Sequence, residues 1–178
     1  IGTMNYYAHR NIKMKYSDYC KLSDNKKQEI LDHHKRMSEY DVDIVCYCFM
    51  PNHYHLLLKQ RIDGGISRYI SRFTNSYTKY FNTRKRRIGP LFQGVFSNKL
   101  ISTEEQLLYV SRYIHRNPYV AGNVKDIGNM IMYPFSSMQN YIKSDFCIIR
   151  PDYLLGKSRN IGDYISYVVT PERWKKRK

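Results

Sequence analysis

The sequence predicts an α+β sandwich in which helices pack against an antiparallel central sheet. Three observations predict it. Residues 42–49 and 53–59 are short runs rich in β-branched, aromatic and other apolar side chains, separated by Met50-Pro51-Asn52, where proline cannot donate to a central ladder. Longer segments with helical periodicity flank this pair. The resulting order, strand–helix–strand–strand–helix–strand–helix, suits an antiparallel sheet covered by helices.

Residues 4–16 are compatible with a short or irregular strand carrying Tyr6, Tyr7 and Ile12, and Ile1-Gly2-Thr3 stay outside the fold reading. Residues 23–38 read as a helix, opened by Ser23, Asp24 and Asn25 and carrying Ile30, Leu31, His34 and Met37 at helical spacing. Past the strand pair, Ile66, Ile70, Phe73, Tyr77 and Phe81 form the stripe of an amphipathic helix, with Arg68, Arg72 and Lys79 off it. Residues 82–89 then make a loop holding Arg84-Lys85-Arg86-Arg87, and residues 91–101 read as a strand with Gly94 as a bulge. Ser102 with Glu105, and Thr103 with Gln106, are overlapping capping boxes. The helix they open should end near Asn117, because Pro118 disfavours a helical residue before it. Beyond Gly122 the pattern weakens, leaving residues 164–169 as a terminal element before the basic end Arg173-Trp174-Lys175-Lys176-Arg177-Lys178.

A length of 178 residues suits one well-cored domain. No repeat or linker divides residues 1–178; residues 1–20 are a poorly patterned edge and 140–178 a C-terminal extension with a basic tail. Lys and Arg number 30 against 15 Asp and Glu, and the formal charge of +15 implies a polyanionic partner, nucleic acid first. An anionic membrane competes. Against it, no stretch approaches the ~18 apolar residues of a spanning helix, no signal-peptide pattern opens the chain, and no basic amphipathic helix has a strong apolar face. Cys20, Cys46, Cys48 and Cys147 lack disulfide-framework or Cys-x-x-Cys spacing and read as reduced thiols in a cytoplasmic protein. The 18 tyrosines supply core and sheet surface, and rings among basic residues also make platforms for unpaired bases.

Chemistry concentrates in two places. His53 and His55 share one face of the second strand, which is half of a divalent-metal site. On the helix of residues 104–117, Leu107, Val110 and Ile114 form the core stripe, while Tyr109, Tyr113 and Asn117 stack four apart on another face. If that helix crosses the sheet beside the histidines, a phenol and an amide oxygen reach the same point as the imidazoles. Nitrogen and oxygen donors without a thiolate suit Mg2+ or Mn2+ engaged with a phosphate better than structural zinc. Tyrosine, with an unperturbed pKa near ~10, is a weak nucleophile unaided, and a metal on the phosphate oxygens would stabilise the attacked phosphorus. Blander readings stand beside this one. The histidine pair can be structural, Cys46 and Cys48 can fill core or join the histidines in a Cys2His2 zinc site, Tyr109 and Tyr119 compete with Tyr113, and His115 can shuttle a proton or simply pack.

Met50-Pro51-Asn52-His53-Tyr54-His55-Leu56-Leu57, Gly89-Pro90-Leu91-Phe92-Gln93-Gly94 and Tyr113-Ile114-His115-Arg116-Asn117-Pro118 resemble, in this order, the single-tyrosine HUH transposases of insertion sequences, and within them the REP-associated tyrosine transposases. The resemblance covers roughly residues 20–140. It implies an HUH-endonuclease-like, ferredoxin- or RRM-like sandwich and a metal-dependent endonuclease and strand transferase acting on single-stranded DNA beside a hairpin. The implied intermediate is a covalent 5′-phosphotyrosine with a free 3′-hydroxyl. By position, Tyr113 becomes the nucleophile and His53, His55 and Asn117 the ligands of Mg2+ or Mn2+. The family often has Arg where Val95 stands and Val-Arg where Tyr119-Val120 stand, departures that affect particular DNA contacts and leave the chemistry intact.

Arg84, Lys85, Arg86, Arg87, Arg112 and Arg116 are the candidate nucleic-acid contacts. A non-catalytic single-stranded nucleic-acid-binding protein and a replication-initiator-type nickase are the rival functions. A homodimer and a monomer both fit the sequence.

Overall fold

The computed structural model describes residues 1–37, 39–144, 149–158 and 160–170. The chain divides into two compact units, one of Ile1–Asp43 with Leu58–Lys99, the other of Ile44–Leu57 with Leu100–Lys178. The composition is α+β, as the sequence predicts. The sheet is the hairpin β1 (Val42–Phe49) and β2 (Tyr54–Gln60), whose short connection allows only an antiparallel pairing.

In the first unit, α1 (Gly2–Ala8) and α2 (Tyr16–Tyr19) replace the expected short strand. Met4 and the whole run of residues 6–9 are buried, so no strand-like alternation of covered and open faces is present here. Tyr6 packs against Tyr7 and Tyr19 with ring centroids 5.2 and 4.6 Å apart. Extended pairing survives only as a bridge from His9 to Tyr40. The helix α3 (Asp24–Met37) follows the predicted one, whose last residue, Ser38, lies outside the described residues.

α4 (Gly65–Lys85) packs on α1 and runs four residues past Phe81, so Arg84 and Lys85 end a helix instead of sitting in a loop. The extension is closed by Arg86 in the left-handed region, φ 50°, and by Arg87 N–H donating to Asn82 O at 2.8 Å. Of the predicted stripe, Ile70 and Phe73 are buried, Ile66 and Phe81 are partly covered and Tyr77 is 41% exposed; off the stripe, Tyr69 is buried and Tyr80 is 56% exposed. Arg68 and Arg72 reach a fully buried carboxylate, Asp41, at 3.4 and 3.3 Å. The helix starts at a Gly64-Gly65 pair. Gly64 has φ 67°, and a Cβ on Gly65 would lie 2.3 Å from the Asp41 carbonyl oxygen. Backbone cannot yield as a side chain can, so Gly65→Ala should lower stability by about 1–3 kcal/mol. A urea-denaturation midpoint equal to that of the parent chain would refute this close approach.

Residues 91–101 form no strand; Gly94 has φ 69° and Val95 is 89% exposed. Within the second unit, the C-terminal part of the chain satisfies β1. Phe49 N–H donates to Phe135 O at 2.9 Å, Ser137 N–H to Tyr47 O at 3.0 Å and Arg150 N–H to Ile44 O at 2.8 Å. β1 is buried from Val42 through Cys48, with no third strand in its sheet among the described residues. The short helices α6 (Ile127–Ile131), α7 (Met138–Ile142) and α8 (Asp152–Leu155), with α9 (Ile161–Val169), build this portion. Cys147 and the basic end at 173–178 lie outside the described residues. No helix among the described residues is long and apolar enough to cross a membrane.

Candidate active site

α5 (Glu104–Val120) begins as its sequence dictates. Thr103 Oγ1 accepts from Gln106 N–H at 3.1 Å, and Gln106 Oε1 accepts from Ser102 N–H at 2.9 Å. It ends later than expected. Pro118 lies inside its last turn, where it forfeits one N–H donor but is itself buried. The stop is Gly122, φ 73°. Its N–H donates to Tyr119 O, and Asn123 N–H donates to Pro118 O at 2.9 Å, the Schellman pattern. The buried line on α5 is Ser111, Ile114, His115 and Pro118, rotated from the apolar stripe of Leu107, Val110 and Ile114 because two of its members are polar.

That rotation aims Tyr113 and Asn117 at the histidine strand. Asn117 Nδ2 lies 3.1 Å from His55 Nε2, His55 Nε2 lies 3.2 Å from His53 Nε2, and the Tyr113 ring meets the His55 ring edge-on at 5.4 Å. The four predicted residues thus share one cluster, all within the second unit. Tyr109 stays half exposed.

Hydrogen bonding orients this cluster. Asn52 Oδ1 accepts from His53 Nδ1 at 2.7 Å, which fixes the proton there and leaves Nε2 as a bare lone pair facing His55. Burial, and secondarily His53, lowers the His55 pKa from its ordinary value, so a neutral imidazole stands ready as a donor. Asn117 can turn its amide by 180° without changing shape, exchanging nitrogen for oxygen. Lone pairs about 3 Å apart repel unless a cation lies among them, and that separation matches neighbouring ligands of one octahedral ion at ~2.1 Å. The donor set therefore fits a divalent cation held by His53, His55 and Asn117. No group of three His, Cys, Asp or Glu side chains converges among the described residues, and Cys46 and Cys48 are buried thiols in β1. Burial pushes the Cys48 thiol up to about 12, which opposes the thiolate a zinc site needs.

His115 packs. It is fully buried, its Nε2 donates to Ser137 Oγ at 2.8 Å and its Nδ1 accepts from Tyr164 OH at 2.9 Å. Ser137 Oγ also accepts from Tyr47 N–H and donates to Tyr47 O, so the network ties α5 to β1 and α9. Arg112 and Arg116 serve the same assembly. Arg112 is buried against the Tyr167 ring and donates to Thr170 O, while Arg116 donates to Val168 O at 3.0 Å and Thr170 O at 2.8 Å. A guanidinium so enclosed as that of Arg112 has little face to offer a phosphate. Arg84, Lys85, Arg86 and Arg87 are exposed in the first unit.

Asn52 and Ser137 were not among the sequence candidates. Asn52 was visible beside His53 but reads as a strand breaker, and nothing local connects Ser137 to residues 47 and 115.

The family model described as Transposase IS200 like matches residues 3–117. The chain belongs to the IS200-like transposase family. The match covers well over half of the transposase and includes His53, His55, Tyr113 and Asn117. It also takes in most of residues 1–20, the edge that the sequence pattern alone left undefined. No curated protein and no solved structure matches the chain. Membership makes this a transposase with DNA as its partner.

Proposed function

We propose that this transposase nicks and rejoins single-stranded DNA beside a hairpin, through a 5′-phosphotyrosine on Tyr113. The observation that carries the reading is the convergence of His53, His55 and Asn117 within 3.2 Å contacts, with the Tyr113 ring against His55. A divalent cation, Mg2+ or Mn2+, on that trio would polarise the scissile phosphate. Tyr113 Oη attacks phosphorus, a Tyr113 oxygen–phosphorus bond forms, the bond from phosphorus to O3′ breaks, and the phenol proton ends on the departing 3′-hydroxyl. One ester replaces another, so the strand can be rejoined by the reverse attack. Asn52 holds His53 with its Nε2 lone pair inward, and the buried line of α5 keeps Tyr113 and Asn117 turned toward the strand.

The test is incubation of the protein with hairpin-bearing oligonucleotides and Mg2+ or Mn2+, followed by denaturing gels. A covalent protein–DNA band that needs the metal supports the reading, and metal-independent binding with no adduct under any condition overturns it. His53→Ala and His55→Ala should each lower adduct formation at least about a hundredfold, the upper range for loss of even an outer-shell partner. Binding should persist, because phosphate contacts carry much of it. Equal loss of binding and cleavage would assign the imidazoles to DNA contact instead.

A further inference from the structure

The outer half of α4 and the turn after it combine exposed rings with unopposed positive charge. Between Asp63 and Glu104 the sequence contains no Asp or Glu, yet it contains Arg68, Arg72, Lys79, Arg84, Lys85, Arg86, Arg87 and Lys99. Arg68 and Arg72 are committed to Asp41. The others have no acidic neighbour in their own stretch of chain.

Tyr77, Tyr80, Phe81 and Arg84 recur at helical spacing and so share one side of α4. Ring centroids of Tyr77 lie 6.4 Å from Tyr80, 6.2 Å from Phe81 and 6.3 Å from Phe92, which folds back from the following turn. Arg84 Nη1 donates to Tyr80 OH at 3.0 Å, joining the rings to the basic cluster. The turn is built rather than loose. Asn82 Nδ2 donates to Gly89 O at 2.7 Å, and Arg87 donates to Asn82 Oδ1 at 3.1 Å and Pro90 O at 2.9 Å. Large rings left half exposed on a helix end that carries four consecutive cations suit an anionic partner with flat faces.

We propose that Tyr80, supported by Tyr77 and Phe92, is a stacking platform for an unpaired base, with Lys85 and Arg86 holding the adjoining phosphates. Stacking is tolerant of base identity because every base offers a π-face, and the cations follow the backbone. Paired bases present no free face, so the platform selects single strands. The proposal shares its DNA partner with the reading above and none of its chemistry.

The test uses the full chain carrying Tyr113→Phe, in EDTA, with a fluorescein-labelled oligothymidine strand and a duplex of the same length, read by anisotropy. Tyr80→Ala should weaken single-strand binding about tenfold and leave its salt dependence and duplex binding unchanged. Tyr80→Phe should restore the affinity. Lys85→Gln and Arg86→Gln should each reduce the slope of log affinity against log salt by about 0.7. An unchanged thermal midpoint shows that each variant folds. Single-strand binding within twofold of the parent for Tyr80→Ala overturns the platform, as does an equal loss on duplex. Binding to anionic phosphatidylserine vesicles with none to the oligonucleotide also overturns it. Because the binding chain cannot form an adduct, failure here leaves the nicking assay untouched, and failure of nicking leaves this result standing.

Discussion

Tyr113→Phe is expected to abolish the covalent protein–DNA adduct completely. The substitution removes one oxygen and keeps the ring, so the edge-on contact with His55 at 5.4 Å remains available. Without that oxygen no bond to phosphorus can form, and no neighbouring group replaces it. Tyr109 lies one helical turn away and is half exposed. DNA binding by Tyr113→Phe should match the parent chain, since phosphate contacts rather than the phenol dominate affinity. Denaturing gels and a filter-binding curve on the same oligonucleotide check both halves. An adduct that survives in Tyr113→Phe and vanishes in Tyr109→Phe would move the nucleophile one turn toward the start of α5.

The second large effect concerns stability. His115→Leu should cost about 1–3 kcal/mol, because Tyr164 OH loses the buried nitrogen it donates to, while Ser137 Oγ loses one donor and keeps its two bonds to Tyr47. Its acid sensitivity follows from the same burial. Burial lowers the His115 pKa to about 3, while the unfolded chain titrates near ~6.5. Between these values the unfolded state binds the extra proton, so stability rises with pH. It is fully present above ~6.5 and falls toward 3 by at most ~1.4 kcal/mol per pH unit, or about 2 kcal/mol between pH 6.5 and 5. The difference between parent and His115→Leu isolates this residue, since burial lowers His34 and His55 in the same sense. Urea unfolding at pH 7 and pH 5 measures it. A parent chain that loses no more stability than the variant over that interval would place His115 in contact with solvent.

What the sequence disclosed depended on whether its signal was local. β1 was readable to the residue because Val42–Phe49, apart from Asp43, is dense in β-branched, aromatic and other apolar side chains, and Thr103 with Gln106 announced the start of α5. The pair at His53 and His55 was readable because strand geometry places alternate residues together. Where distant segments decide, the pattern misled. Residues 91–101 have strand-like composition yet form no strand, and β1 is instead bonded by Phe135, Ser137 and Arg150, far along the chain. The inward side of α5 was misjudged because Ser111 and His115 are polar in type and buried in fact. Pro118 suggested a stop at Asn117, whereas Gly122 supplies the left-handed residue that ends the helix. Arg112 and Arg116 read as cations for DNA, and only the fold reveals the carbonyls of Val168 and Thr170 waiting for them.

The family match stops at Asn117, yet the backbone of β1 leans on Phe135, Ser137 and Arg150. A version trimmed to the matched segment would bare a ribbon of unanswered amides and carbonyls beside Cys46, Tyr47 and Cys48, a ready template for sticking to its own kind. Any shortened version meant to stay dispersed therefore has to retain the chain through Arg150.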